Sequence, residues 1–351
     1  MLRKLFHFLG ACLALTTATA LLARFVPPDV FWPPSILALL LPGLLLGVIL
    51  YAAICLLRRE WRQLILPALV LVAAAPLAPR LLGLRLGNSS TPVADATETA
   101  TLISSNVRRF KDDNSWGIDA QEELTYIRSA KPDAVLFQEF HPIRDNSHPL
   151  VARMKTAVGI NRRHQPTGKS VATFAETAEF VTDYFMEGNN ISGVLVTDVT
   201  TPIGKLRLVN AHLYSNQISI LAKQIGEQDG VEGEVSQAKS MLRRYAGAAA
   251  GRARQADVIR KTVEESPHPV IVGGDFNDVP SSYTYQRSLT PRLRDAWAEH
   301  GSLGLGTTYT GPLPGLRIDY FMVDTALQVQ SIERVETGFS DHYALKLVVA
   351  K

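Results

Sequence analysis

Three apolar runs dominate the first 85 residues and cover about residues 5–22, 36–57 and 64–82. Each approaches the roughly 20 apolar residues that an α-helix needs to cross a bilayer. The pattern therefore predicts a membrane region in residues 1–85 with about three transmembrane helices. Two alternatives stay open. Ala18-Thr-Ala20 resembles a signal-peptide cleavage site, although the two further runs favour a retained helix. The third run ends in Pro76, Pro79 and Arg80, so it could stop short of spanning.

The basic residues around these runs predict an orientation. Arg3 and Lys4 precede the first run, and Arg58, Arg59 and Arg62 separate the second run from the third. Cytoplasmic loops carry an excess of Lys and Arg. We therefore expect a multi-pass protein with a cytoplasmic N-terminus and an extracytoplasmic C-terminal part. If the third run does not span, the C-terminal part is cytoplasmic instead.

Residues 86–99 are small and polar and predict a linker, and residues 100–351 predict one globular domain. Strands are predicted at 101–107, 134–138, 192–200, 205–213, 269–272, 317–323, 327–336 and 343–349, and helices at 121–130 and 236–266. Pro202-Ile-Gly204 indicates a hairpin between the third and fourth strands. Strands mixed with flanking helices predict an α/β or α+β sandwich.

The net charge of +3 arises from the apolar N-terminal part of the chain, which is basic. Residues 1–90 hold eight basic and two acidic residues, which leaves 28 basic and 31 acidic residues in the remainder. This remainder, residues 91–351 at −3, has no net positive field to attract a polyanion, so nucleic acid is a less favoured partner. The two cysteines, Cys12 and Cys55, both lie in apolar runs, so the domain has neither a disulfide nor a thiolate metal site.

Polar side chains stand next to apolar strands at several places in the domain. They are Asn106, Glu139, His212, Asp275, Asn277, Asp319, Asp341 and His342. Phosphoryl chemistry with a hard metal needs carboxylates for the ion, amide or imidazole donors for phosphate oxygens, and a base for water. Taken singly, each residue has a structural alternative: a turn, a buried histidine, or a carboxylate solvated by the next loop. Gly273-Gly274 before Asp275 makes that motif the most specific of them.

Six motifs in this order resemble the endonuclease/exonuclease/phosphatase superfamily, and in particular its bacterial membrane-anchored members. They are SSNVRRF, LFQEF, VNAHLYS, VGGDFNDVPSSYTY, RIDYFMV and SDHYAL, and they extend over residues 100–351. The resemblance implies a four-layered α/β sandwich, with two packed mixed sheets flanked by helices. It also implies cleavage of phosphate esters with Mg²⁺ or Mn²⁺, by a protein of the bacterial inner membrane.

The resemblance also implies roles for individual residues. Glu139 would be the principal metal ligand, helped by Asn106 and Asp341. Asp275 and Asn277 would lie beside the scissile phosphate, His212 would donate to it, and Asp319 would hold His342. Whether His342 or Asp275 takes the proton of water stays open, as does the choice between one and two metals. Arg108 and Arg109 would face substrate anions or would simply be solvated.

Two departures narrow the subfamily. Arg108 stands where apurinic endonucleases carry an acidic residue, and His212 stands where they carry a tyrosine, which disfavours a DNA-repair role. The expected function is hydrolysis of phosphodiester or phosphomonoester bonds, with lipid head groups among the candidate substrates. The expected partners are the lipid bilayer and a phosphoester, and no protein partner is indicated. The alternatives are an extracytoplasmic nuclease and a non-catalytic membrane sensor on the same fold.

Overall fold

The computed structural model describes residues 1–83, 98–110, 121–142, 151–152, 155–156, 160, 162–215, 231–311, 315–336, 338 and 340–351, without the side chains of 121–123 and 231–235. Residues 1–83, here called the helical region, form α1 (Leu2–Leu22), α2 (Pro33–Leu39), α3 (Leu41–Leu57), α4 (Ile65–Ala74) and α5 (Ala78–Leu82). Short 3-10 turns at Trp61–Leu64 and Ala75–Leu77 join α3, α4 and α5.

Two helical stretches, Leu2–Leu22 and Trp61–Leu82, are long and apolar enough to cross a membrane, which confirms the first and third predicted runs as candidates. The second run is not one straight helix, because α2 and α3 meet at an angle of 74°. Proline stands at the start of both helices. Proline lacks an N–H and disfavours helical backbone in the residue before it, so it begins helices more readily than it continues them. The region offers two spans, or three if the bent pair counts as one.

Small residues let α1 and α3 approach closely. A Cβ added at Gly10 would lie 2.2 Å from the ring of Tyr51, so only glycine fits against that ring. Close backbone approach at small residues is the usual basis of helix packing in membranes. At this end of the bundle the Arg3 Nε lies 3.0 Å from Glu60 Oε1, and the His7 Nε2 lies 3.2 Å from Glu60 Oε2. These pairs join the start of α1 to the segment after α3.

Residues 98–351, here called the sandwich, contain two six-stranded sheets with strand orders β11-β12-β1-β2-β4-β3 and β5-β6-β7-β8-β10-β9. The strands are β1 (Thr99–Asn106), β2 (Ala134–Gln138), β3 (Arg162–His164), β4 (Ala172–Ala175), β5 (Ala178–Phe185), β6 (Gly193–Thr201), β7 (Gly204–His212), β8 (Val270–Asp275), β9 (Leu293–Asp295), β10 (Asp319–Asp324), β11 (Gln328–Val335) and β12 (Ala344–Ala350). The helices are α6 (Gln121–Ala130), α7 (Val231–Glu264), α8 (Tyr283–Ser288) and α9 (Ala296–His300).

The sheets pack face to face, and helices cover their outer faces. Buried residues from both sheets, among them Leu102, Leu136, Leu208, Ile271 and Phe321, form the core between them. Leu124 and Ile127 of α6 cover the first sheet, and Ile259 and Val263 of α7 cover the second. Each sheet mixes parallel with antiparallel pairs. This arrangement confirms the predicted four-layered α/β sandwich.

The pattern of the sequence located most of these elements but not all. The predicted 205–213 strand, the 134–138 strand and the 121–130 helix are confirmed within a residue. Strands β3, β4, β5 and β9 and helices α8 and α9 were not predicted. β5 is an edge strand with exposed Phe180, so its pattern lacks the apolar face of a buried strand. The predicted linker 86–99 lies almost wholly outside the described residues, and β1 begins within it at Thr99.

Candidate active site

The topology brings the predicted polar residues to one end of the sandwich. β1 and β2 run parallel, as do β7 and β8, so their carboxyl ends meet at one edge. β10 runs antiparallel to β8 and therefore begins at that edge, where Asp319 pairs with Asp275 and His212 pairs with Asp275 from the other side. Three site residues thus lie side by side on neighbouring strands, each held by regular backbone hydrogen bonds.

Asp275 is the centre of the hydrogen-bond network. Its Oδ2 accepts from Asn106 Nδ2 at 3.0 Å, across the two sheets, and from Asn277 Nδ2 at 3.1 Å. Its Oδ1 accepts from the Asn277 backbone N–H at 2.8 Å. The carboxylate is buried, and burial of a charge is costly unless such donors compensate for it. Asn106, Asp275 and Asn277 therefore form one prearranged unit.

Glycine at 274 is required by the close approach of β7. Its φ is +141°, and a Cβ there would lie 1.9 Å from the carbonyl oxygen of Ala211. Asn277 is also left-handed, with φ of 51°, and its Nδ2 donates to the carbonyl of Leu213 at 3.1 Å. Left-handed backbone is unfavourable for most residues but tolerated by asparagine. The Gly-Gly-Asp-Phe-Asn motif therefore turns the chain sharply so that both polar side chains point into the site.

His212 is completely buried with one nitrogen pointed at the carboxylates. Its Nδ1 lies 3.0 Å from the carbonyl oxygen of Ile191, so Nδ1 carries the proton of that bond. Its Nε2 lies 3.8 Å from Glu139 Oε1 and 3.7 Å from Asp275 Oδ2, and it makes no hydrogen bond with any described residue. A buried nitrogen held just beyond hydrogen-bond distance of two carboxylates is arranged for a ligand between them.

His342 and Asp319 form a buried pair. The His342 Nδ1 lies 3.0 Å and 3.2 Å from the two carboxylate oxygens of Asp319, and its Nε2 lies 3.9 Å from Asp275 Oδ2. Burial disfavours the charged imidazole, but the negative charges of Asp319 and Asp275 outweigh it and raise the pKa of His342 to about 10. The two carboxylates therefore favour the protonated imidazole, with Nδ1 bound to Asp319 and Nε2 turned towards Asp275.

Glu139 follows β2 in a strained conformation beside a tight turn. Its φ is 49°, and Arg108, Arg109 and Phe110 are left-handed as well. The Arg109 N–H donates to the Glu139 carbonyl at 2.8 Å, and the Arg108 N–H donates to Asn106 Oδ1 at 3.1 Å. Such conformations cost roughly 1–3 kcal/mol each and persist where surrounding structure holds them. The turn aims the partly exposed Glu139 carboxylate at His212.

The structure places every predicted site residue at this end, but not all of them are joined. Asp275, Asp319 and His342 lie close enough together for one ligand atom from each to surround a cation. The carboxylate of Asp341 is partly exposed and makes no hydrogen bond or ion pair to the other predicted site residues. The side chains of Arg108 and Arg109 are half-buried at the rim, beside Asn106 and Glu139. Their contact with substrate stays a prediction.

The donor set fits a hard divalent cation. Carboxylates converge from both sheets, with Glu139 on one and Asp275 on the other, and oxygen is the ligand that Mg²⁺ prefers. Asn106 Oδ1 accepts one backbone bond and keeps a second lone pair. The buried His212 Nε2 has no hydrogen-bond partner among the described residues, and with Nδ1 already protonated it donates to an anionic ligand at the same place when the imidazole carries both protons.

Sequence reasoning missed the residues that support the site. Thr308 Oγ1 accepts from the backbone N–H groups of Ile318 and Asp319, both at 3.0 Å, and so fixes the start of β10. Ser340 Oγ donates to the Asn106 carbonyl at 2.7 Å and accepts from the His342 N–H at 3.1 Å. The carbonyl of Ile191 orients His212 through the backbone, so no side-chain signal could have revealed it.

Two mixed sheets thus carry a polar cluster at the carboxyl ends of their parallel strands. The family model of the endonuclease/exonuclease/phosphatase family matches residues 103–342, and the chain belongs to this family. Members of the family are generally metal-dependent hydrolases of phosphoester bonds, and they typically use divalent ions, commonly Mg²⁺. Residues 3–81 match a separate family model described as a domain of unknown function.

Solved structures of similar fold include Danio rerio TDP2 complexed with single strand DNA product, at 17% identity and a TM-score of 0.48, covering 72% of this chain and 99% of that one. They also include an endonuclease/exonuclease/phosphatase from Beutenbergia cavernae, at 17% identity and a TM-score of 0.49, covering 72% of each chain. The human Nocturnin catalytic domain with bound sulfate matches at 17% identity and a TM-score of 0.47, covering 72% of this chain and 94% of that one. No curated protein matches the chain significantly.

Proposed function

We propose that the chain is a membrane-anchored, Mg²⁺- or Mn²⁺-dependent phosphoesterase that hydrolyses phosphodiester or phosphomonoester bonds outside the cytoplasm. One observation carries the proposal: Asn106, His212, Asp275, Asn277 and the Asp319–His342 pair converge at one end of the sandwich, with the buried His212 Nε2 pointed into the cluster. A phosphoester resists attack because its oxygens are negative. Two imidazoles and an amide around one phosphate offset that charge.

The metal would be held by Glu139, with Asn106 and Asp341 beside it. It would supply neutralisation of phosphate charge and polarisation of the scissile bond. The affinity of a divalent ion for carboxylates agrees with the position of Glu139 at the rim of the site, where a solvated cation can enter. Arg108 and Arg109 would add positive charge on the substrate side of the same rim.

The remaining residues would position the phosphate and the attacking water, and would supply a proton. His212 would donate to a phosphate oxygen. The Asn277 amide would do so by exchanging one of its two present hydrogen bonds, to the Leu213 carbonyl or to Asp275, for the phosphate. Asp275, which accepts three hydrogen bonds, would orient the attacking water. Asp319 keeps Nδ1 of His342 engaged, so that His342 Nε2 can hold a proton towards the phosphate or its leaving group.

We infer the orientation across the membrane from the two ends of the helical region. The start of α1 and the segment after α3 share one end, which carries Arg3, Lys4, Arg58, Arg59 and Arg62. The sandwich contacts the opposite end, where Ser35 and Ala38 lie. With the basic end in the cytoplasm, the sandwich lies outside it, and this agreement supports the extracytoplasmic placement.

The test uses the full chain in lipid nanodiscs. Mg²⁺-dependent release is measured from bis-p-nitrophenyl phosphate, p-nitrophenyl phosphate, plasmid DNA, sphingomyelin and inositol phosphates. Glu139→Ala should abolish release, whereas Glu179→Ala, which removes an exposed carboxylate paired with Lys205, should leave it unchanged. Activity on DNA alone would establish the nuclease alternative. Absence of all hydrolysis, or full activity in Glu139→Ala, would refute the proposal and favour a non-catalytic sensor.

A separate measurement tests the orientation. Alkaline phosphatase fused after Lys351 is active only outside the cytoplasm, so an active fusion is expected. An inactive phosphatase fusion, together with a fluorescent cytoplasmic reporter at the same place, would reverse the assigned orientation.

A further inference from the structure

We propose that the helical region holds the active site against the membrane surface, and that the substrate is a phosphoester whose alcohol is anchored in the outer leaflet of the bilayer. The inference rests on the proposed phosphoesterase function and adds the substrate class. It is drawn from the contacts between the helical region and the sandwich.

The helical region is joined to the sandwich by hydrogen bonds along one face. Tyr245 Oη donates to the Ser35 carbonyl at 2.7 Å, and Ser281 Oγ donates to the Ala38 carbonyl at 3.1 Å, so two side chains of the sandwich bind the backbone of α2. At the end of α5, Arg80 Nη1 donates to Gln286 Oε1 at 2.9 Å. These bonds come from separate elements, so they fix an orientation rather than a single point of attachment.

Apolar packing continues the same interface. Ala23 and Ala38 of the helical region are completely buried against Val279 and Ile318 of the sandwich. Both alanines are apolar and small, so the backbones approach closely at this point. The cluster therefore joins apolar side chains of both parts of the chain.

The contacts lie at the active-site end of the sandwich. Val279 follows Asn277 by two residues, and Ile318 directly precedes Asp319. Tyr309 packs against the same apolar cluster, and its ring centroid lies 5.1 Å from that of His342. Since a residue spans at most about 3.6 Å of chain, the Cα of Asn277 lies within about 14 Å of the Cα of Ser281, whose side chain contacts α2.

The surroundings of α2 are those of a membrane interface. α2 lies between the first span and α3, and exposed Val30 and Phe31 precede it. Leu303 is 77% exposed, and the adjacent Gly304 N–H donates to the Leu82 carbonyl at the end of α5. Apolar and aromatic side chains at this level anchor proteins in the interfacial layer, which is about 5–8 Å thick on each side.

These positions determine which substrates reach the site easily. A phosphate in a lipid head group lies at the level of α2, a short distance from His342 and Asn277. A dissolved polyanion would have to approach through the head-group layer, towards a domain that carries no net positive charge. A lipid-anchored phosphoester is therefore the substrate class that the docked geometry favours.

The first test measures position rather than activity. In full-length chain with Cys12→Ala and Cys55→Ala, a fluorophore is attached through Thr310→Cys at the site end, or through Lys351→Cys at the opposite end. The two ends are separated by the length of β12, about 23 Å at 3.3 Å per residue. Nanodiscs containing phosphatidylcholine with a nitroxide on its head group should quench the label at 310 several-fold more than the label at 351. Equal quenching, or stronger quenching at 351, would overturn the inference.

The second test measures substrate preference. One nitrophenyl phosphodiester is prepared with either a short soluble alcohol or diacylglycerol as its second alcohol. The unaltered protein should hydrolyse the anchored ester with at least tenfold higher kcat/KM. Ala38→Glu places a charge in the buried interface and should remove most of this preference while the soluble ester is still cleaved. Val30→Glu, the same charge at a position 78% exposed, should leave the preference intact.

The two tests separate the inference from the function on which it rests. Hydrolysis of both esters at equal rates by the unaltered protein would overturn the substrate class and leave the phosphoesterase function standing. Loss of both activities in Ala38→Glu would overturn the inference, because the interface would then be needed for folding rather than for holding the site at the membrane. If no ester is hydrolysed, the phosphoesterase function fails, and the substrate class fails with it even where the quenching result places the site at the membrane.

Discussion

Replacing Asp319 with asparagine removes one negative charge from His342 and keeps an oxygen in the place where the imidazole binds. The Nδ1 of His342 lies 3.0 Å from Asp319 Oδ2. At that distance, and with an effective dielectric constant of about 20, the attraction is about 5–6 kcal/mol, equivalent to about 4 pKa units. Burial offsets part of this, and the pKa of His342 rises from 6.5 to about 10.

We expect Asp319→Asn to lower the pKa of His342 by about 2–3 units, because Asp275 remains 3.9 Å from Nε2 and keeps some of the stabilisation. At pH 8 the imidazole is then almost fully protonated in the unaltered protein and about half to nine-tenths neutral in the variant. If His342 acts as the proton donor, the turnover number at pH 8 should fall by about two- to tenfold, in proportion to the protonated fraction that is lost.

The assay is ¹⁵N NMR of histidine-labelled, metal-free protein in nanodiscs between pH 5 and 11, with His342→Gln to assign its signal among eight histidines. Asp198→Asn is the matched control, because Asp198 lies 3.8 Å from the distant His268. It should leave the pKa of His342 unchanged. A His342 signal that titrates near 6.5 in the unaltered protein, or that Asp319→Asn does not move, would refute the electrostatic reasoning.

Three further results are expected. Glu139→Gln should weaken Mg²⁺ binding at least tenfold by isothermal titration calorimetry, whereas an unchanged affinity would remove Glu139 from the metal site. Arg252→Met leaves the carboxylate of buried Asp278 unpaired and should cost about 3–5 kcal/mol in urea unfolding, against less than about 1 kcal/mol for Arg287→Met in a more exposed pair. Because the pKa of His342 is raised on folding, the stabilisation that its charge gives the folded protein should be complete below pH 6.5 and should disappear as the pH rises through about 10. A difference in the free energy of unfolding between the unaltered protein and His342→Gln that does not change with pH would contradict this.

The sequence was most informative where a local pattern determines the structure. Asn106, Asp275 and Asp319 each adjoin a strand whose apolar run is visible, and strand direction alone brings them to one edge. Contacts between distant loops left no such pattern. Thr308 supports Asp319, and the Ile191 carbonyl orients His212, only because loop segments fold back onto the sheet.

The helical region shows the same division between local and distant information. Apolar length predicted where helices lie, yet the break between α2 and α3, with Pro42 in the first turn of α3, was not predicted. Hydropathy reports the transfer of a segment into lipid and contains no term for packing against a soluble domain. Docking of α2 through Ser35 and Ala38 depends on Tyr245 and Ser281, which are more than 200 residues away.

The site lies at the seam between the two sheets, so its geometry depends on how firmly the sheets are held together. Asn106 and Glu139 belong to one sheet, and His212 and Asp275 belong to the other. Just behind them, Gln138 Nε2 donates to Asn210 Oδ1 at 2.8 Å, and Asn210 Nδ2 donates to the Ala172 carbonyl at 3.0 Å, both across the seam. Apolar side chains would also fill this space, but they would tolerate sliding of one sheet over the other. A buried amide pair would be left unsatisfied by the same displacement, at a cost of about 1–3 kcal/mol per group. The polar bridge therefore restricts the sheets to the one alignment in which the Asn106 amide reaches Asp275.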